Sequence, residues 1–242
     1  MEGITTITFD LWDTLYIDDD DQDLRRKEYR FKIMQKIFTQ QGYIISNDTL
    51  QQAIIYANKV AKETWHTLQK TFGAKERFDI ILDCLKINLD NSIKHEAVVR
   101  IENAGYDFPP IKITGIENIL RRLSKKYKLG LISDTGQTSG RVLREILKKD
   151  CIYDYFLVHT FSDEIGVSKP NKKIFELTLK NLCSLPSSTV HIGDNIITDV
   201  SGAINYGLKV IHITDKKDNE YSNHRNYYQV DKISDIIEYL NP

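Results

Sequence analysis

Four short runs of this chain are apolar or β-branched at most positions, and each ends at a polar residue or a glycine: residues 4–9, 129–132, 189–192 and 208–213. A fifth, weaker run covers 155–159. A strand that is apolar at every position must be covered on both faces, which is the situation inside a parallel sheet. Amphipathic helical patterns stand between the runs, at 115–126, 140–149, 171–182 and 200–206. Strand–helix alternation of this kind implies right-handed crossovers. The predicted fold is therefore α/β, a doubly wound, mostly parallel, Rossmann-like sheet. Ligands of such sheets bind beyond the carboxyl ends of the strands.

The stretch from 16 to 109 has a different character, because its periodicity is helical throughout. It predicts helices over 23–41, 47–71, 75–85 and 92–103, with Gly42, Gly73 and Gly105 placed to stop three of them in the left-handed conformation. The acidic run Asp18 to Asp21 and the pair Pro109-Pro110 bracket the stretch and are predicted hinges. The expected organisation is a core of residues 1–15 and 110–242 with an all-helical domain of residues 16–109 inserted after the first strand.

With 242 residues and a net charge of −1, the chain has room for both parts and no electrostatic reason to bind nucleic acid or an anionic membrane. The pairs Lys125-Lys126 and Lys148-Lys149 read as solvated helix ends. Cys84, Cys151 and Cys183 are isolated, so they suggest neither a disulfide framework nor a zinc site and are expected to be buried free thiols. No leader-like n-region precedes the first apolar run, and no run approaches the ~20 residues of a membrane helix. A soluble, cytoplasmic protein is the expectation.

Four segments at or near the predicted strand ends form a set. Asp10 and Thr14 stand in Phe9-Asp10-Leu11-Trp12-Asp13-Thr14-Leu15, and Ser133 and Asp134 in Leu131-Ile132-Ser133-Asp134-Thr135. Lys169 stands in Gly166-Val167-Ser168-Lys169-Pro170, and Asp194 and Asp199 in Gly193-Asp194-Asn195 and Asp199-Val200-Ser201-Gly202-Ala203. An aspartate can attack a phosphoryl or alkyl centre and split one displacement into two. Asp10, Asp194 and Asp199 are hard oxygen donors of the kind Mg²⁺ takes, with waters completing an octahedron. Thr14 and Ser133 can donate hydrogen bonds, and Lys169 supplies a compact positive charge. Taken singly, Asp10 and Asp199 could cap helices, Ser133 and Asp194 could be turn residues, and Lys169 could be a surface lysine.

Together and in this order, the segments resemble the four motifs of the haloacid dehalogenase-like hydrolase superfamily, and the likeness extends to the position and helical character of the insert. The resemblance implies a cap domain closing over a small phosphorylated metabolite and Mg²⁺-dependent hydrolysis through an aspartyl-phosphate. Asp10 and Lys169 would be catalytic, and Thr14, Ser133 and Asp134 would face the substrate. The metal would take Asp10, the backbone carbonyl of Trp12, Asp194 and Asp199.

Trp12 is the departure. In the phosphatases of that superfamily this position usually holds a second aspartate, which protonates the leaving group and then activates water. Indole cannot exchange a proton usefully near neutral pH, and losing such a group typically costs ~10²–10⁴ in rate. Dehalogenases of the superfamily also lack that aspartate, but they typically lack the Gly-Asp pattern that Gly193-Asp194 retains. The expected activity is an atypical phosphatase that favours good leaving groups, such as acyl or aryl phosphates. The alternatives are a catalytically weak regulatory protein that binds phosphate and Mg²⁺, and a 2-haloacid dehalogenase. Asp13 is expected to point away, since only residues i and i+2 share a face of an extended segment. None of the six histidines has ligand spacing, and none is assigned a role.

Overall fold

Strand β1 (Thr6–Phe9) is buried at all four residues, and the rest of the core is arranged around it. The computed structural model describes residues 1–216 and 219–240. The other strands are β2 (Tyr16–Ile17), β3 (Ile111–Lys112), β4 (Lys128–Ser133), β5 (Val158–Phe161), β6 (Thr189–Gly193), β7 (Lys209–Ile213) and β8 (Tyr227–Val230). Six of them form one parallel sheet in the order β5-β4-β1-β6-β7-β8. The chain leaves β1 for β4 on one side and later returns to β6 on the other, so the strand order reverses at β1. That reversal opens the crevice in which α/β sheets hold ligands. The register pairs Phe9 with Leu131 and with Ile192, so Asp10, Ser133 and Asp194 emerge at one edge.

The predicted elements recur with displaced ends. The run at 155–159 is displaced into β5, because 153–155 forms a tight helical turn whose Tyr153 ring stacks on His159 at 4.2 Å. β8 went unread in the sequence: three of its four residues are only partly buried, and an edge strand needs no unbroken apolar run. Apolar side chains of the sheet pack in two layers, one including Leu120, Leu143 and Ile146 and the other including Phe175, Leu179 and Ala203.

Between β2 and β3 the chain forms α1 (Asp20–Gln40), α2 (Asn47–Leu68), α3 (Ala74–Leu85) and α4 (Asn91–Asp107). These four helices enclose their own core, in which Phe38 stacks on Phe78. The acidic run is a helix start rather than a bare hinge: the Asp19 carboxylate accepts from the Asp21 amide, and Asp18 pairs with Arg26. The two chain crossings are tied together, with Tyr16 opposite Lys112 and Ile17 opposite Ile111 in an antiparallel ribbon. Pro109-Pro110 immediately precedes that ribbon.

Of the three expected glycine stops, only Gly42 lies beyond its helix with positive φ. Helix α2 instead ends at Gln69 in the left-handed conformation, and Gly73 starts α3, with its amide donating to the Glu76 carboxylate. Gly105 lies inside α4, where the helix crosses the loop following β4. A Cβ there would stand 2.4 Å from Cγ2 of Thr138.

The remaining helices are α5 (Ile116–Leu123), α6 (Gly140–Lys149), α7 (Ser162–Ile165), α8 (Lys172–Asn181), α9 (Gly202–Tyr206) and α10 (Ile236–Leu240). The expectation of buried thiols is wrong, since all three cysteines are exposed. Cys84 lies on the outer face of α3, and Cys151 and Cys183 occupy left-handed positions just past α6 and α8. No helix among the described residues is long and apolar enough to cross a membrane.

Gly105 sets how closely the insert can approach the core. Gly105→Ala is expected to lower stability by about 1–3 kcal/mol, the usual range for overpacking. Denaturant midpoints should show part of that loss recovered in the Gly105→Ala/Thr138→Ala double variant, and equal losses in both would contradict the contact.

Candidate active site

Asp10 follows β1, and its amide donates to the Ile192 carbonyl at 2.8 Å. Only 5% of the residue is exposed. The Lys169 ammonium, 2% exposed, donates to Asp10 and, at 2.6 Å, to Oδ1 of the fully buried Asp199. Asp199 sits on a single wide turn at Ile196–Ser201 that begins before the predicted helix, and the Asn195 side chain caps that turn by accepting from two amides. Wide turns of this type recur at functional sites because they re-aim one side chain. Carboxylate oxygens of Asp10, Asp194 and Asp199 lie within 4.8 Å of one another.

Both oxygens of Asp199 are used. Oδ1 accepts from Lys169 and His191, and Oδ2 from the Asn195 amide at 3.1 Å and Oγ1 of Thr198 at 3.3 Å. His191 is the residue that sequence reasoning missed. A carboxylate accepts only, so Nε2–H of His191 donates to Asp199 at 3.0 Å, which leaves Nδ1 to accept from Oγ1 of Thr8 at 2.9 Å. Its signal was strand alternation, since His191 is two residues before Gly193 on a strand buried at every residue.

Asp134 lies beside this group. Its Oδ1 accepts from the Lys169 amide at 2.9 Å and its carbonyl from the Trp12 indole at 3.0 Å, and the Trp65 side chain of α2 approaches its carboxylate. Ser133 is buried, with its hydroxyl donating to the Asp134 carbonyl at 3.2 Å. Thr14 is buried too, and its Oγ1 has no hydrogen-bond partner among the described residues. Asp13 does not simply point away: it adopts φ 53°, with its amide donating to the Tyr16 carbonyl at 2.6 Å, and its charge is felt at Asp194. The insert also touches the site. The Ser168 amide donates to the Gln69 carbonyl at 2.7 Å, and the Thr71 hydroxyl lies 2.6 Å from those of Ser162 and Ser168.

Burial decides the protonation balance. It pushes Asp10 well above the ordinary carboxylate range, and the attraction of Lys169 does not offset it. Burial also opposes ionisation of Asp199, but Lys169 and His191 hold that carboxyl below its ordinary value. Asp194 is pushed up to about 7 by burial, Asp199 and Asp13, and Asp134 to about 6 by burial. The site carries more negative charge than its one lysine neutralises.

A parallel α/β sheet with an Asp–Lys–Asp cluster at its carboxyl edge, overlaid by an inserted helical domain, defines a class of hydrolase cores. The sequence pattern of the haloacid dehalogenase-like hydrolases matches residues 25–213, and the chain belongs to that family. The matched stretch begins after Asp10, so the place of Asp10 in the cluster rests on the geometry above. The chain is 26% identical over 182 residues to a glyceraldehyde 3-phosphate phosphatase of Pyrococcus furiosus, covering 72% of this chain and 73% of that protein. It is 34% identical over 97 residues to the pyrimidine 5'-nucleotidase YjjG of Escherichia coli, covering 40% and 42%. A 2-haloacid dehalogenase from Pseudomonas syringae shares the fold, with a TM-score of 0.71, 19% identity and 98% of each chain covered.

Two outcomes follow from this geometry. A Cβ on Gly193 would meet Cγ of Asp199 at 2.4 Å. Gly193→Ala should therefore displace the anchor of Lys169 and lower stability by about 1–3 kcal/mol, with an unchanged unfolding midpoint as the contrary result.

The second concerns pH. The unfolded chain releases the Asp194 proton near pH ~3.9, whereas the folded chain holds it to about pH 7. Between those values the folded state binds more protons, so metal-free stability falls as pH rises, by on the order of 1–2 kcal/mol after solvent screening. Asp10 and Asp134 act in the same direction, so Asp194→Asn should make the slope shallower, and urea midpoints across that range provide the measurement.

Proposed function

We propose that this chain is a Mg²⁺-dependent phosphatase for small phosphorylated metabolites, with Asp10 as the nucleophile. The observation that carries the reading is the buried Lys169 ammonium bonded to both Asp10 and Asp199, with Asp194 completing a carboxylate cluster within 4.8 Å. A stability-driven core has little use for such a group, whereas a site that stabilises a developing anion does. The donor set suits a hard divalent cation, since a second positive charge would offset the burial and the repulsion that together push Asp194 up to about 7. The buried, unpartnered Thr14 hydroxyl is the second sign of fit, since an incoming phosphoryl oxygen would satisfy it.

Asp10, Asp194, Asp199 and the carbonyl of Trp12 would hold Mg²⁺, with Oδ1 of Asp199 also bonded to Lys169. When bound, the ion neutralises and orients the phosphoryl oxygens. An Asp10 oxygen attacks phosphorus, the bond from phosphorus to the ester oxygen breaks, and the alcohol or acid leaves as its anion. Lys169 offsets the charge of the transferring group, and the Thr14 and Ser133 hydroxyls can donate to its oxygens. Water then attacks phosphorus in the aspartyl-phosphate, which frees Asp10 and phosphate. Trp12 offers no proton to the departing oxygen, so acyl and aryl phosphates suit this site best. The insert would act as the lid that keeps bulk water away.

Similarity to proteins named for glyceraldehyde 3-phosphate and for pyrimidine nucleotides supports the substrate class. The dehalogenase likeness concerns the fold, and Asp194 and Asp199 beside Asp10 favour metal-assisted phosphoryl transfer over halide displacement. With Mg²⁺ present, the chain should release phosphate from aryl phosphates, and Asp10→Asn should abolish release without loss of fold. Trp12→Asp should raise turnover of an alkyl phosphate by about 10²-fold or more. Tight phosphate and Mg²⁺ binding with no turnover in either form would instead identify a regulatory protein.

A further inference from the structure

Three arginines of the helical insert converge beside the first motif. Arg26 and Arg30 on α1 and Arg77 on α3 line a cleft of about 240 Å³ with Trp12 and the turn at 136–138. Arg26 is neutralised there, since it pairs with Asp18 and, at 3.6 Å, with Asp23, which Lys27 also holds. Arg30 and Arg77 differ, because among the described residues no carboxylate forms an ion pair with either. Arg30 is 7% exposed, with Nε donating to the Ile101 carbonyl and Nη2 to the Thr138 hydroxyl, both at 3.1 Å. Arg77 donates from Nε to the Phe72 carbonyl at 2.9 Å and from Nη1 to the Asn58 side chain at 2.6 Å. Each thus commits two of its five donors to neutral acceptors.

A buried cation without a counter-ion is costly, and a protein that keeps one generally holds it for an anion. Burial and the nearby Arg26 and Arg77 draw Arg30 down to about 10, and the attraction of Asp23 and Asp18 offsets only part of that. Those two carboxylates pair directly with Arg26 and Lys27, so neither forms an ion pair with Arg30 or Arg77. A second hollow of about 480 Å³ shares Asp23, Arg30, Arg77 and Gln137 and extends between α1 and α2. Together they give room for a small metabolite. The wall nearest the chemistry is Trp12, two residues beyond Asp10.

We propose that Arg30 and Arg77 bind a second anionic group of the substrate, a carboxylate or a phosphate, on the Trp12 side of the Asp10 centre. The inference rests on the phosphatase reading and narrows its substrate class to metabolites that carry a negative group besides the one removed. Planar guanidinium groups suit this task because they bind carboxylate and phosphate bidentately.

The test compares phenyl phosphate with its para-carboxy and para-phospho derivatives. With Mg²⁺, kcat/KM should be about tenfold or more higher for the derivatives, with the difference residing in KM. In Arg77→Gln the ratio of derivative to parent should collapse toward one. Arg30→Lys, which keeps the charge but loses the fork, should lower the ratio in part and serves where loss of the Thr138 contact disturbs folding. General structural damage would lower all three substrates alike and leave the ratio intact, which would overturn the proposal. Wild-type turnover of phenyl phosphate with no preference for either derivative would also overturn it while leaving the phosphatase reading standing. If no ester is hydrolysed, calorimetry on the Asp10→Asn protein decides: tighter binding of the derivatives, lost in Asp10→Asn/Arg77→Gln, supports the anion subsite alone, and equal binding rejects it.

Discussion

Everything at this site depends on one ammonium group sealed between two carboxylates. Lys169 is almost fully buried, and each of its partners, Asp10 and Asp199, comes from a different strand end. Removing Lys169 would leave buried carboxylate charge uncompensated, which typically costs about 3–5 kcal/mol. The surrounding structure is organised to keep the three in register. His191 and the Asn195 amide fix Asp199, the Ile192 carbonyl fixes the Asp10 backbone, and Asp134 fixes the Lys169 amide. Gly193 has no side chain because the Asp199 carboxylate lies where its Cβ would be.

Much of this was legible in the sequence, and the physical reason is periodicity. β1, β4, β6 and β7 are largely buried on both faces, so their sequences are rich in apolar and β-branched residues without clean alternation, and their carboxyl ends could be located to within a residue or two. The insert was legible because its helices enclose a core of their own. What escaped detection depends on contacts between distant segments. Gly105 looks like a helix stop until Thr138 is seen against it, and His191 looks like a core histidine until Asp199 is placed beside it. The cysteines failed for a simpler reason: two of them fill left-handed positions after helices, where local backbone geometry and not hydrophobicity decides exposure. Arg30 and Arg77 stand 47 positions apart in the sequence, on helices that meet only in the folded insert, and nothing in a linear pattern marks them as a pair.

Trp12 acquires a positive role in place of the missing one. Its indole donates to the Asp134 carbonyl while Trp65 reaches the Asp134 carboxylate from α2. The two tryptophans of the chain therefore meet at one residue, one from the core and one from the insert. An aspartate at position 12 would be a proton carrier, but it could neither make that bond nor form the wall of the arginine cleft. On the proposed reading, tryptophan at this position gives up acid–base capacity and supplies shape and a fixed hydrogen bond. Such an exchange suits a substrate whose leaving group departs without a proton and whose far end requires recognition.

The same contacts couple the insert to the chemistry. Gln69 and Thr71 hold Ser168, the residue before Lys169, and Arg30 reaches across to Thr138 in the loop that follows Ser133 and Asp134. Lifting the insert would free both loops of these contacts, and the loops carry Lys169 and Asp134. Binding energy gathered at the arginines would act at Asp10 through packed backbone, with no change in the sheet beneath. On the proposed reading the sheet supplies a rigid edge and the insert supplies selection, and the two meet at Ser168, next to Lys169.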